Sequence, residues 1–175
     1  MSGTIGAMSE VYEQASLSLI LADFAVADQL GKLQMVGGGL QLIGRDHGTG
    51  ISAAFALVVS LTFPPDLFNE QYAFEVVLED ENGNPLELTE SAAVPGSRVM
   101  RFGQTLQIEE PNFRGSGVPR RALPTRSHVV LYFNTGLPLP PGQVLVWRAR
   151  IDGESRPEWT VPFFVPAPPP APVLG

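Results

Sequence analysis

An alternation of apolar side chains over residues 142–165 constrains the fold of this chain more than any other feature. Apolar residues recur at every second position in two runs, and the dipeptide Asp152-Gly153 lies between them. Period-two alternation is typical of a strand that buries one face, and Asp-Gly tolerates the positive φ angles of a tight hairpin turn. Both tryptophans of the chain, Trp147 and Trp159, fall on the apolar faces, so we predict a β-hairpin that anchors a core.

Similar runs along the rest of the chain predict seven further strands, separated by turns rich in glycine, proline and asparagine. They cover residues 16–27, 32–43, 52–63, 71–80, 85–91, 98–109 and 127–135. The 18 glycines and 17 prolines are dispersed between these runs, and no run predicts a long helix. We therefore predict an all-β fold, an antiparallel two-sheet β-sandwich of about 8–9 strands with extended termini. A closed β-barrel is the alternative.

One domain is expected for a chain of 175 residues. Residues 16–165 form the predicted β-sandwich domain. Residues 1–15 predict a flexible N-terminal arm with at most one helical turn, and residues 166–175 predict a proline-rich tail in polyproline II conformation. There is no basic residue before Lys32 and no apolar run of membrane-spanning length, so we expect neither a signal peptide nor membrane contact.

Acidic and basic residues are segregated along the chain. The net charge of −7 disfavours nucleic acid as a partner. Residues 1–97 carry 13 acidic and two basic residues, whereas residues 98–156 carry nine arginines and four acidic residues. Two interpretations stay open. Strands of both segments interleave into a mixed surface, or an acidic face and a basic face meet between copies of the chain or with a protein partner.

Arginines of the basic segment are the polar residues that most suggest a binding surface. Four lie in a predicted loop over residues 111–126, and two lie on the outward face of the hairpin. Loops of that length are uncommon unless they bind something or are mobile, and arginine suits contacts with carboxylates. The predicted partner-binding residues are Arg114, Arg120, Arg121, Arg126, Arg148 and Arg150. A solvated loop without a partner is the alternative.

The sequence shows no motif for catalysis, a cofactor or a metal. There is no cysteine, and the two histidines, His47 and His128, are not accompanied by a nucleophile elbow. The glycines at residues 37–39 do not lead into a helix that would bind a phosphate group. Residues 80–84 resemble a calcium loop only in part and are interpreted as a hairpin turn. We therefore predict no enzyme activity, no cofactor and no metal site.

Several turn and core motifs occur in a recognisable order. They are Leu21-Ala22-Asp23-Phe24-Ala25, Gly31-Lys32-Leu33 with Gly37-Gly38-Gly39, Leu78-Glu79-Asp80-Glu81-Asn82-Gly83-Asn84-Pro85, Pro140-Pro141-Gly142, Trp147-Arg148 and Ile151-Asp152-Gly153. In these motifs the chain, over residues 17–165, resembles an uncharacterised β-rich domain family of actinobacteria and their phages. The motifs contain no catalytic group, so the resemblance implies a fold and transfers no activity.

These observations favour a non-enzymatic structural or interaction protein. The predicted function is an accessory virion component, a capsid decoration or minor capsid or tail protein of an actinobacterial phage, located in the virion. The expected partners are other copies of the chain or a capsid or tail protein, so a homo-oligomer or an assembly-bound protein is the expected state. The alternative is a cytoplasmic bacterial module of the same fold that binds a small ligand or a peptide.

Overall fold

The structure, a computed structural model, describes residues 9–89 and 97–170. Within them the chain forms one short helix, α1 (Glu10–Gln14), one 3₁₀ turn (Pro65–Leu67) and eleven strands. The strands are β1 (Ser16–Ala22), β2 (Phe24–Ala27), β3 (Leu33–Val36), β4 (Phe55–Phe63), β5 (Gln71–Asp80), β6 (Glu87–Thr89), β7 (Ser97–Val99), β8 (Arg101–Gln107), β9 (Thr125–Phe133), β10 (Gln143–Ile151) and β11 (Thr160–Val165). The all-β class predicted from the sequence is confirmed.

The hairpin that anchors the core consists of β10 and β11. The two strands pair antiparallel and are joined by residues 152–159. This connection begins with a tight turn that Ile151 and Glu154 close, in which Asp152 and Gly153 have φ angles of 51° and 84°. Positive φ at two consecutive turn positions is the geometry that an Asp-Gly pair predicts. Trp147 and Trp159 are 0% and 1% exposed, so both indole rings lie in the core.

Two open antiparallel sheets enclose this core. One has the strand order β1-β4-β9, and the other has the order β11-β10-β5-β8. Rings of both sheets meet between them, since Phe133 of β9 stacks on Trp147 of β10 with centroids 5.7 Å apart. Phe55 of β4 also meets Phe163 of β11, as a tilted pair of rings with centroids 6.4 Å apart. The described strands form no closed barrel, so the barrel alternative is wrong.

The strand divisions differ from the predicted ones at two places. The predicted strand over residues 16–27 bends at Asp23 and becomes β1 and β2, which pair with different strands. The predicted strand over residues 98–109 is divided at Met100 into β7, which pairs with β6, and β8, which pairs with β5. In the described part of the chain, seven strands therefore build the two facing sheets and four build the hairpins β2-β3 and β6-β7.

The β2-β3 hairpin covers the outer face of the three-stranded sheet. Ala25 of β2 is buried against Ala56 and Val58 of β4, and Leu33 and Val130 complete this second apolar cluster. The packing explains why β4 is apolar on both faces. One face of the strand lies in the main core, and the other lies under the hairpin.

The N-terminal segment is packed against the core where it is described. The first half of the predicted flexible arm lies outside the described residues, whereas α1 buries Val11. The guanidinium carbon of Arg156 lies over the adjoining rings of Tyr12 and Trp159, 5.0 Å from each centroid. Its Nη2 donates to the carbonyl oxygens of Tyr12 and Glu13, both at 2.8 Å. This second half of the predicted arm is therefore held by cation–π contacts and hydrogen bonds, which differs from the expected flexibility.

The C-terminal segment leaves β11 at Val165 and continues without strand pairing. Residues 166–170 of the predicted proline-rich tail have no assigned secondary structure, and residues 171–175 lie outside the described part of the chain. No helix among the described residues is long and apolar enough to cross a membrane.

Candidate functional site

An ion-pair network occupies the outer face of the four-stranded sheet. Strand β5 lies between β8 and β10, and its outward residues Glu75 and Glu79 meet arginines from both neighbours. Arg148 Nε donates to Glu79 Oε2 at 2.7 Å, and Arg150 Nη2 donates to Glu79 Oε1 at 3.1 Å. Glu75 lies 3.4 Å from Arg150 Nη1 and 3.2 Å from Arg101 Nε.

Glu79 is the buried centre of this network. Its side chain is 1% exposed, whereas the side chains of Arg148 and Arg150 are each 28% exposed. A buried carboxylate is tolerated where charged donors satisfy its oxygens, as the two guanidinium groups do here. The two hairpin arginines predicted to bind a partner are therefore engaged by a carboxylate of their own chain.

The strand order also brings the acidic and basic segments of the sequence together. Glu75 and Glu79 belong to the acidic segment, and the three arginines around them belong to the basic one. Strands of both segments are thus interleaved in one sheet, and their charges neutralise one another on its outer face.

Two arginines of the predicted loop are paired within the chain. Arg120 forms an exposed ion pair with Glu110 at 3.3 Å. Arg121 Nη2 donates to the carbonyl oxygen of Pro65 at 2.7 Å and lies 3.4 Å from Asp66 Oδ1. Exposed ion pairs of this kind contribute about 0–1 kcal/mol to stability, so they position the loop more than they stabilise the fold.

Arg114 and Arg126 differ from the other four predicted residues. Both are exposed, and neither side chain forms a hydrogen bond or ion pair with a residue that the structure describes, although the amide of Arg114 donates to Asn112 Oδ1 at 3.2 Å. Arg126 is also not a loop residue, because β9 begins at Thr125. Arg114, Arg120 and Arg121 line one cavity, whereas Arg126 lies on β9 and the two hairpin arginines lie on the outer face of the four-stranded sheet. The structure therefore does not gather all six arginines into one basic surface.

Ser60 of β4 and His128 of β9 lie opposite each other. Ser60 Oγ is 2.9 Å from His128 Nδ1, the distance at which a serine nucleophile meets its base. Burial lowers the pKa of His128, and the positive charge of Arg126 lowers it further. A catalytic histidine needs a negative group that stabilises its imidazolium form, and the charged neighbour here has the opposite sign. The pair fits a neutral hydrogen bond.

The remaining sequence motifs serve the local backbone. Asp80 Oδ1 accepts hydrogen bonds from the amides of Asn82 and Asn84, both at 2.9 Å. The side chain and backbone of Asn84 lower the pKa of Asp80, and they occupy the carboxylate that a calcium ion would need. Gly37 has a φ of 64°, and a Cβ atom there would collide with Asp23. Among the described residues, no group of three or more acidic, histidine or cysteine side chains could hold a metal ion.

Two neighbouring cavities open beside the predicted arginine loop, at one end of the sheets. The larger has a volume of ≈ 1140 Å³, and its lining includes Tyr72, Arg126 and His128. The smaller has a volume of ≈ 770 Å³ and is lined by the loop itself, including Phe113 and Arg114. Burial raises the pKa of Tyr72 to about 12, so its hydroxyl is neutral at pH 7. The larger cavity presents acidic groups (Asp28, Glu109 and Glu110) as well as basic ones (Lys32 and Arg126) to a small molecule.

An exposed apolar surface lies on the outside of the β2-β3 hairpin. Phe24, Val26 and Val36 are exposed there, Val36 to 64%, and Phe24 is paired with Val36 in the strand register. The exposed ring of Tyr132 on β9 meets Phe24 edge to face with centroids 5.3 Å apart. We call these four residues the hairpin patch. The sequence analysis did not identify this patch. Its signal in the sequence is the alternation Phe-Ala-Val-Ala over residues 24–27, which places the two large side chains on one face of a strand and the alanines on the other.

Comparisons with known proteins give no relative from which a function could be transferred. No protein-family model matches the sequence, and no curated protein matches it at a significant level. The resemblance to a β-rich domain family of actinobacteria and their phages stays a prediction.

Proposed function

We propose that this protein is a non-enzymatic structural or interaction protein and that the hairpin patch is its contact surface. The patch carries the proposal because its four side chains are contiguous and exposed. Three of them lie on a hairpin whose inner face is already packed, and Tyr132 of β9 adjoins them through Phe24. Single exposed apolar residues are common on folded domains, whereas contiguous apolar patches usually mark a protein contact.

The polar groups of the chain support the same proposal. The carboxylate of Glu79 accepts hydrogen bonds from two arginines, and the carboxylate of Asp80 accepts hydrogen bonds within its own turn. His128 faces Ser60 beside the positive charge of Arg126. The two carboxylates are thus engaged within the chain, and the charged neighbour of His128 is a cation where a catalytic triad has a carboxylate.

The specific form of the proposal is an accessory virion component, such as a capsid decoration or a minor capsid or tail protein of an actinobacterial phage. Its support is the sequence resemblance together with an all-β domain that exposes an apolar patch. The partners would be a capsid or tail protein or further copies of this chain, and the protein would be located in the virion.

Quantitative mass spectrometry of purified virions tests this form, with two hairpin variants. Val36→Asp places a charge in the hairpin patch, whereas Leu30→Asp places the same charge in the turn of the same hairpin, at a side chain that is 80% exposed. We expect many copies per particle for the unchanged protein and for Leu30→Asp, and severalfold fewer for Val36→Asp. Absence of the unchanged protein from particles would refute the virion form, and equal incorporation of both variants would refute the patch as the contact.

The cavity of ≈ 1140 Å³ favours a second candidate function, a cytoplasmic module that binds a small ligand or a peptide. Its volume suffices for a small organic molecule. A ligand that binds there would raise the midpoint of thermal unfolding of the purified protein, and Tyr72→Phe or Arg126→Ala would reduce that shift. A broad ligand library without any shift would rule against this candidate.

A further inference from the structure

The four edge strands of the two facing sheets are not equally protected. At the β11 edge, the amide of Ile43 donates to the carbonyl oxygen of Phe164 at 3.0 Å. At the β1 edge, the carbonyl oxygen of Leu21 accepts from the amide of Gly39 at 2.7 Å. Segments of the chain thus cover parts of both edges. Neither β8 nor β9 has a second partner strand among the residues that the structure describes.

The two open edges differ in composition. Folded proteins protect open edges with charged residues, prolines, glycines or bulges, because an unprotected edge pairs with another chain. Strand β8 follows this rule with the exposed residues Arg101, Gly103 and Gln104. Strand β9 has nine residues, and after Arg126 it continues as Ser-His-Val-Val-Leu-Tyr-Phe, without a carboxylate, lysine, proline or glycine. It is the longer and more apolar of the two open edges.

We propose that β9 is the interface for a second copy of this chain, through antiparallel pairing of the two β9 strands into one continuous sheet. Each copy would contribute the three strands β1, β4 and β9. This inference rests on the proposed interaction function and names one partner for it. Strand addition at an open edge supplies backbone hydrogen bonds, and a two-fold axis closes the assembly at two copies.

The symmetry of such a pair restricts its register. Residues that oppose each other across an antiparallel pair project to the same face, so the axis must pass through a residue position and not between two residues. Val129 is the central residue of the nine in β9. An axis at Val129 pairs every residue of the strand, whereas an axis at a neighbouring residue leaves strand ends without a partner.

This register also gives a partner to the guanidinium group of Arg126, which has none in the single chain among the described residues. It places Arg126 of each copy opposite Tyr132 of the second copy, on the outer face of the joined sheet, so the contact occurs twice. Arg126 is exposed and forms no ion pair with the described residues, and Tyr132 is exposed beside Phe24. A guanidinium group over a tyrosine ring is favourable, and no like charges face each other.

Residues 126 and 132 can interact only between copies. They lie on the same strand at a separation of about 20 Å, which is six steps of about 3.3 Å, beyond the reach of their side chains. A measured coupling between them is therefore specific to the pairing of two chains.

Sedimentation velocity of the full-length chain over a range of concentrations tests the inference. We expect a reversible monomer–dimer equilibrium for the unchanged protein. Tyr132→Lys sets a lysine against Arg126 of the second copy, and Tyr132→Glu sets a carboxylate against it. Both lose the same ring contact with Phe24, so they are matched controls. We expect dimers of Tyr132→Lys to dissociate at least about tenfold more readily, since each charge contact occurs twice. Arg126→Glu combined with Tyr132→Lys should restore the dimer.

A disulfide cross-link between two copies tests the predicted register of the paired β9 strands. The chain contains no cysteine, so Val129→Cys should form a disulfide-linked dimer under mild oxidation, because the two copies of that residue would face each other at the axis. Gln104→Cys on the β8 edge should form no disulfide-linked dimer, although it keeps the reversible dimer through β9.

The outcomes separate this inference from the proposed function. A protein that is monomeric at every concentration, or equal dissociation of Tyr132→Lys and Tyr132→Glu, overturns the pairing of β9. If the monomeric protein is still incorporated into virions through the hairpin patch, the interaction function stands without this interface. If the dimer forms as expected but no virion contains the protein, the interface stands and the virion form fails.

Discussion

Replacing Arg148 and Arg150 while Glu79 stays charged should lower the free energy of unfolding far more than replacing all three charged residues together. In the double variant Arg148→Met and Arg150→Met, the aliphatic stems stay in place and both charged donors are lost. These donors lie 2.7 Å and 3.1 Å from the Glu79 oxygens, and the carboxylate is 1% exposed. An unpaired buried charge of this kind costs about 3–5 kcal/mol of unfolding free energy.

The third substitution decides whether the buried charge is the cause. Glu79→Gln, added to the two methionine variants, removes the unpaired charge and should recover at least about 2 kcal/mol, since a neutral amide is less costly to bury. Arg101→Met is the matched control. Its side chain is 50% exposed and forms one ion pair with Glu75 at 3.2 Å, so its loss should cost less than about 1 kcal/mol.

Urea unfolding followed by tryptophan fluorescence measures these differences, because Trp147 and Trp159 are both buried and report the loss of the common core. If Glu79→Gln fails to stabilise the double variant, the network does not act through a buried charge. If the double variant costs no more than the Arg101→Met control, the burial of Glu79 has no energetic consequence and the reasoning is wrong.

Two further perturbations address other parts of the molecule. Burial raises the pKa of Tyr72 to about 12 from an ordinary value of 10, so the folded state binds its proton more tightly. The unfolding free energy should therefore fall between pH 10 and pH 12, by up to about 2.7 kcal/mol, and Tyr72→Phe should lose this part of the pH dependence in urea unfolding. Arg156→Lys keeps the charge but loses the two hydrogen bonds to α1, so amide exchange in α1 should accelerate and stability should fall by about 1–2 kcal/mol. Arg114→Lys, which has no partner to lose among the described residues, should leave both unchanged.

The sequence predicted those elements whose burial is periodic. The alternating faces of β5 and β10 and the turn at Asp152 follow from local patterns, since side-chain direction and turn conformation are decided within a few residues. The same alternation over residues 71–80 places Glu75 and Glu79 on the outward face of β5. It could not predict that Glu79 is buried, because its cover comes from Arg148 and Arg150, about 70 residues later in the chain, and depends on the strand order.

The candidate surfaces show the same dependence on tertiary structure. Arg126 was assigned to a loop, but pairing with β4 extends β9 back to Thr125. Phe24 was assigned to one long strand, but the bend at Asp23 turns β2 over the outer face of the sheet and exposes the large residues of that strand. Strand propensity cannot predict such a change of partner strand, because the same residue types suit one continuous strand and two separate strands equally well.

The position of α1 decides how extensions of the chain would be arranged in space. The hydroxyl of Ser9 donates to Asp152, so the described chain starts at the β10-β11 turn. Its last strand ends at Val165, which pairs with Gln143 at the far end of β10. The two points are separated by the length of β10, about 26 Å at 3.3 Å per residue. Segments that continue the described chain from Ser9 and from Val165 therefore depart from opposite ends of β10.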